Sequence, residues 1–449
     1  MLRRIVADAP NFQSQLAALR KKLSPDGSVV SERGQQLTQL LFGQNLSPQE
    51  VVERICSDVR TSGTEAVLRY ARVLDNPVIQ AENLRVPLSA IQAAHQSVSE
   101  EFLTAVRSIR SNVERFQKAI LHRDVDVPAP NGVSLRHRYT ALERIGICVP
   151  GGVAAYPSTV LMTAIPARCA GVKEIVVMAP PTQFGAYNQE VLATCAELGV
   201  SEVYAVGGAQ GIASLAFGIP EIPRVDKIVG PGNLFVALAK RWVYGTVDID
   251  SIAGPSEVLV IADQTTRPAF AASDLIAQAE HSPGASMILS ADASILDAVD
   301  QELERQLSKI DRADLARTAL LEFGASIQCR DSDQVVELTN LLAPEHLQIS
   351  VDEPEQYSSR IRNAGAIFKG HYSPVALGDY AAGPSHVLPT GATARWASGL
   401  TANDFLRSFS EVAFSRDALK AIEPTVTEMA NKEGLTAHRE SLLERFRHG

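Results

Sequence analysis

From residue 144 onward the chain alternates short runs of Val and Ile with helical stretches, and this constrains its fold more than any other feature. "RIGICVP", "EIVVMAP", "EVYAVG" and "DKIVGPG" read as strands, with "STVLMTAIPARCAG" and "NQEVLATCAELG" as helices among them. Strand and helix in alternation predict a parallel sheet covered on both faces. The rhythm resumes with "EVLVIAD", the helix "PAFAASDLIAQAEH", "SMILSAD", the helix "ILDAVDQELERQLSKI" and "ASIQCRD". The expected class is α/β: two Rossmann-like parallel-sheet units in tandem, with helical N-terminal and small C-terminal extensions.

Residues 1–125 read as mostly helical. "NLSPQEVVERICSDV" predicts a helix with Ser47 as N-cap, Pro48 at the first helical position and acids in the first turn. "SEEFLTAVRSIRSNVERFQKAIL" carries apolar residues at helical spacing. A Pro-rich link, "VDVPAPNGV", follows, and after about 390 the chain reads as helical again. These shifts predict an arm and helical segment at 1–41 and a helical part at 42–147 packing with 258–392. A Rossmann-like domain is expected at 148–257 and a small helical domain at 393–449.

At 449 residues the chain is too long for one compact core. Its formal charge of −9 argues against nucleic acid, which needs a basic stripe. "MLRRIVADAPNF" lacks the apolar core of a signal peptide, and no apolar run approaches the roughly 18 residues of a membrane helix. Five cysteines, Cys56, Cys148, Cys169, Cys195 and Cys329, are scattered and never in a CxxC spacing. That excludes a disulfide framework and a thiolate zinc site, and it suits a reducing cytoplasm. Any metal must be held by nitrogen and oxygen.

Glycine-rich turns follow the strands of the first unit: "PGGVAAYPS", "GGAQG" and "GPGN". Such turns let backbone approach a ligand, and a helix N-terminus there favours phosphate. None is a GxGxxG fingerprint, so tight turns and a dinucleotide site both remain open. In "DLIAQAEHSP", Gln278 and His281 are three apart and project from neighbouring turns of one helical stripe. A solvated helix end and a pair of metal ligands both explain them. "APEHLQI" sets Glu345 beside His346; adjacent residues point apart, so each would act separately as a base. "ALGDYAAGPSHVLPT" carries Asp379 and His386 in a loop dense with Gly and Pro, and "KEGLTAHRES" carries Glu433 and His438.

Together, "PGGVAAYPSTVLM", "VGGAQGIASLAFG", "DKIVGPGN", "AGPSEVLVIAD", "SDLIAQAEHSP", "APEHLQI", "GDYAAGPSHVLPT" and "EGLTAH" match the histidinol dehydrogenase family in order and rough spacing. The resemblance spans about 140 to 440 and is weaker in the N-terminal part. It implies oxidation of L-histidinol to L-histidine through L-histidinal, with NAD and one zinc ion per chain, in the last two steps of histidine biosynthesis. It also implies a homodimer with shared sites.

Carried over by that resemblance, Gln278, His281, Asp379 and His438 hold the metal. His346 takes the alcohol proton and Glu345 activates water. Ser256 and Glu433 contact the substrate, as do the metal ligands and His346, and Gln210 and Asn233 contact NAD. Cys148 stands where the family often has Tyr, which touches the expected NAD pose. Rival readings are a related zinc and NAD enzyme acting on another polar alcohol, such as a sulfonated propanediol, a zinc hydrolase, and a non-catalytic nucleotide-binding paralogue. Glu433 suits a cationic amine and would repel a sulfonate.

Overall fold

The computed structural model describes residues 1–23, 32–75, 78–152, 154–252, 254–281 and 284–447. The expectations touching Val153, Ala253 and the Ser282–Pro283 helix stop lie outside the described residues. Contacts divide the chain into two units. The first comprises Met1–Ile120 with Leu142–Phe405, the second Leu121–Ala141 with Leu406–Gly449.

In the first unit, five parallel strands lie in the order Glu202–Ala205, Glu174–Ala179, Arg144–Cys148, Lys227–Val229, Asp248–Ile249. Numbered by appearance along the chain this is 3-2-1-4-5. Six more parallel strands lie in the order Arg3–Val6, Ala325–Gln328, Gly284–Ser290, Ser256–Ile261, His346–Ile349, Ala366–Lys369. Setting aside the N-terminal strand, the order is again 3-2-1-4-5. The tandem α/β reading holds, with one strand that the helical reading of the N-terminus passed over.

The inner strands are largely apolar because both faces are covered, whereas the edge strand Arg3–Val6 buries only Ile5. Successive side chains point to opposite faces, so Val176 and Met178 join one core while Val177 and Ala179 join the other. In the six-stranded sheet Leu259 and Ile261 face one core, Val258 and Val260 the other. The predicted Ser47 cap forms a capping box with Glu50, and Pro48 opens the helix Pro48–Ser62. Val51, Val52 and Ile55 of that helix pack on one side of the five-stranded sheet. Ile91, Val106 and Val113, on the helices Leu88–Ser97 and Glu100–Ile120, pack on the other. The helical part expected at 42–147 therefore shares its cores with the first sheet, and it also meets the 258–392 segment, where Asn112 Nδ2 donates to the Ala381 carbonyl at 3.1 Å.

The second unit holds a three-stranded antiparallel sheet in the order Leu406–Phe414, Val133–Ala141, Val125–Val127. Two helices follow, Arg416–Lys432 and Thr436–Arg447. The sequence reading took these strands for a link and a helical tail. The reason is visible: Leu406, Phe409 and Val412 recur every third residue, a helical spacing on a strand. Among its described residues only Ala430 is buried.

One turn of the first unit fixes a cavity wall described below. Gly230, at φ +104°, donates its amide to Asp250 Oδ2 at 2.7 Å and accepts from Lys240 Nζ at 3.1 Å. Lys240 and Asp250 form a buried ion pair. A Cβ on Gly230 would run into the Cys148 carbonyl. Gly230→Ala combines a left-handed backbone with that collision, so we expect a loss of about 2 kcal/mol or more in urea unfolding. An unchanged midpoint would contradict this account of the turn.

Candidate active site

Two side-chain clusters stand out in the first unit. The first lies at the amino ends of the adjacent strands Ser256–Ile261 and His346–Ile349, which pair in parallel with His346 opposite Val258. This register brings Glu345 and His346 to the backbone of Glu257. Glu345 Oε2 accepts from Glu257 N at 2.8 Å and from Ser256 Oγ at 2.6 Å. His346 Nδ1 lies 3.1 Å from the Glu257 carbonyl oxygen. A carbonyl only accepts, so Nδ1 carries the proton and Nε2 presents a lone pair. That Nε2 is buried without a hydrogen-bond partner and lies 3.9 Å from Asp379 Oδ1.

Burial sets the charge states. It pushes Glu345 up to about 8, against its two hydrogen bonds, and Asp379 adds to the rise. It pushes neighbouring Glu257 up to about 8 as well, opposed by a hydrogen bond from Gly391 N. His346 is lowered by burial against the pull of Asp379, and is therefore neutral at neutral pH. A buried neutral imidazole with a free Nε2 is a competent general base.

Asp379 lies on the short helix Ala376–Tyr380, and its carbonyl receives His386 Nδ1 at 3.0 Å. The Pro268–Ala279 helix brings Gln278 on its last turn, buried, with its amide nitrogen unpartnered. His281 follows in the turn just past the helix, its amide bonded to the Gln278 carbonyl. Surrounding protein lowers the His281 imidazole although its edge stays open, and Asp379 opposes that effect. Gln278, His281, Asp379, His386, Glu345, His346 and Ser256 thus belong to one unit. His281, His346 and His386 all feel the Asp379 charge. No role was attached to His386 from the sequence; its place beside Asp379 in the Gly- and Pro-rich loop was the available signal. Glu433 and His438 lie exposed on the second unit.

The second cluster lines a cavity of about 450 Å³ at the carboxyl ends of the five-stranded sheet. Cys148, Gln210 and Asn233 all line it. It opens between the strands Arg144–Cys148 and Lys227–Val229, where the strand order reverses, the usual place for a nucleotide. Asn233 Oδ1 caps the Leu234–Val243 helix through Phe235 N and Val236 N, both at 3.1 Å. Gln210 donates Nε2 to Asp75 Oδ2 at 2.9 Å, and its Oε1 is buried without a partner. Burial pushes the Cys148 thiol up to about 12, so it is an uncharged wall residue.

Among the described residues no group of three or more His, Cys, Asp or Glu side chains is placed to hold a metal ion. The ligand set named from the sequence contains an amide, Gln278, and a histidine of the second unit, so the first unit alone supplies just His281 and Asp379 of those types. No helix among the described residues is long and apolar enough to cross a membrane.

The family model described as histidinol dehydrogenase matches residues 43–446. A histidinol dehydrogenase of Rhodopirellula baltica is 60% identical over 427 residues, covering 95% of this chain and 93% of that protein. One of Clostridium acetobutylicum is 41% identical, over 95% of this chain and 99% of that protein. The crystal structure of histidinol dehydrogenase from Elizabethkingia anophelis superposes with a TM-score of 0.88 at 32% identity, covering 99% of this chain and 98% of that one.

The buried acids generate a pH prediction. Unfolded carboxyls ionise near 4.5, whereas folded Glu345 and Glu257 ionise at about 8. Their contribution to stability is therefore full below 4.5 and lost as pH rises through 8. The lowered histidines act oppositely, but only below their unfolded value of 6.5. Between pH 6.5 and 8.5 the melting temperature of metal-free protein should fall, and Glu257→Gln should make that fall shallower. Identical slopes in the two proteins would contradict the assignment.

Proposed function

The chain belongs to the histidinol dehydrogenase family, and from that premise we infer that it catalyses the NAD-linked oxidation of L-histidinol to L-histidine by way of L-histidinal. The observation that carries the catalytic reading is the pair Glu345–His346, buried and hung on the backbone of Glu257. His346 Nε2 takes the alcohol proton. Glu345 takes a proton from the water that attacks the aldehyde, and His346 serves again in the second oxidation. Glu345 must be ionised for its step, and a cationic substrate beside it favours that form. NAD, when bound, accepts the hydride, and the cavity walled by Cys148, Gln210 and Asn233 supports its seat.

We propose zinc as the metal, with Gln278, His281, Asp379 and His438 as ligands. Nitrogen and oxygen donors of this kind suit zinc and other divalent ions. A neutral His281 fits a group that needs uncharged imidazole, and Gln278 would bind it through its amide oxygen. Zinc, when bound, orients the substrate's imidazole and amine. Ser256, beside Glu345, and Glu433 are assigned to substrate contact.

We also propose a homodimer in which residues 393–449 reach the neighbouring chain, so that Glu433 and His438 complete the partner's site. The support is physical: a unit that buries Ala430 and leaves Val412, Phe414, Val426 and Met429 exposed has too little core to stand alone.

Two experiments test these readings. With purified protein, zinc, NAD and L-histidinol, NADH formation should be followed for wild type and variants. His346→Ala should slow alcohol oxidation by roughly 10²–10⁴-fold. Glu345→Gln should impair oxidation of supplied histidinal more than the alcohol step; a normal histidinal rate would remove Glu345 from its role.

For assembly, His281→Ala and His438→Ala should each lower zinc content and activity. Mixed after denaturation and refolded, they should form about half heterodimers, each with one intact site, restoring roughly a quarter of wild-type activity. No recovery from well-folded mixed dimers would reject the shared site.

A further inference from the structure

The dinucleotide cavity has an asymmetry that the catalytic reading does not use. Among the described residues that line it there is no Lys or Arg, and the one carboxyl group is that of Asp75. Asp75 ends the Thr64–Leu74 helix and reaches across to the turn that opens the Gly208–Phe217 helix. There it accepts from Gln210 Nε2 at 2.9 Å and from the backbone amide of Gly207. A helix N-terminus of this kind ordinarily receives a phosphate, because its amide donors and dipole favour an anion. Here the anion is already present as a side chain. A phosphate brought to the Gly207 turn would meet a carboxylate holding the donor it needs, with no cation to offset the repulsion.

A sugar hydroxyl brings the opposite chemistry. It donates to a carboxylate oxygen and accepts from a nearby amide, and hydrogen bonds to charged groups are the stronger kind. Leu41, Val51, Ile55 and Leu74 also line the cavity and offer aliphatic surface suited to the flat face of a base. Pyrophosphate then falls to the other turns, Gly151–Gly152 and Pro231–Gly232, the latter before the Leu234–Val243 helix.

We propose that Asp75 is the residue by which this cavity selects the unphosphorylated dinucleotide, accepting from the adenosine ribose hydroxyls and excluding a 2′-phosphate. Burial of Asp75, which raises it to about 6, leaves it ionised above that pH, so the repulsion operates at neutral pH.

The inference rests on the reading that this cavity seats NAD, and the test separates the two. Affinities for NAD and NADP are measured by titration calorimetry, without histidinol, on wild type, Asp75→Asn, Asp75→Ser and Asn233→Ala, each checked for folding by its melting curve. Wild type should bind NAD at least about 100-fold more tightly than NADP. Both Asp75 variants should weaken NAD by roughly tenfold while leaving NADP unchanged or tighter. Asn233→Ala should weaken both nucleotides alike. If wild type binds the two equally, or if both Asp75 variants keep the wild-type ratio while Asn233→Ala weakens binding, the Asp75 proposal is overturned and the cavity reading stands. If all three variants bind NAD as wild type does, the cavity is not the cofactor's seat and both fall.

Discussion

The pairing of the Ser256–Ile261 strand with the His346–Ile349 strand is the constraint on which the candidate chemistry depends. It sets a backbone amide and a backbone carbonyl of one residue, Glu257, against two neighbouring side chains. The amide holds one carboxylate oxygen, and the carbonyl dictates which imidazole nitrogen bears hydrogen. Glu345 Oε2 and His346 Nδ1 come to 3.6 Å of each other, so the two side chains turn to one neighbour rather than apart. The strand beside them aligns both. A shift of one residue in register would exchange the faces of every side chain on the strand and dissolve the arrangement.

Much of this was legible in sequence, for identifiable reasons. Strands buried on both faces leave continuous apolar runs, so seven of the eleven parallel strands among the described residues could be located. The Ser47-Pro48 signature marked a helix start because capping chemistry is local. What depended on distant partners was not legible. The Arg3–Val6 strand is too short to announce itself and exists through pairing with Ala325–Gln328. The Glu257 contacts join residues 88 and 89 positions apart. Asp75 sits 135 residues from Gln210, in a helix that gave no sign of lining a cavity.

The two parallel sheets share a strand order and use it at opposite ends. The five-stranded sheet opens its carboxyl ends into the cavity, as an α/β sheet ordinarily does. The six-stranded sheet closes the corresponding edge with local hydrogen bonds: Thr266 Oγ1 donates to the Ser350 carbonyl at 2.7 Å, and Asp352 N to Thr265 Oγ1 at 3.0 Å. Its polar cluster gathers instead at the amino ends. The usual rule for finding ligands on such sheets therefore locates the cavity and misses the bases. Those came from their residue types and their resemblance to a family.

The antiparallel sheet of the second unit has a consequence for how the chain is made. The Val133–Ala141 strand leaves the ribosome more than 260 residues before Leu406–Phe414, the segment that pairs along its whole length. At ordinary elongation rates that edge waits for roughly ten to fifty seconds with its amides and carbonyls unpaired. An unprotected edge of this kind invites pairing with other nascent chains. The waiting strand reads "VSLRHRYTA", and Arg136 and Arg138 place positive charge along it. In the finished fold those arginines pair with Asp126 and Glu411. During synthesis Glu411 has not yet been made, whereas Asp124 and Asp126 already precede the two arginines, so charged side chains of both signs flank the waiting edge.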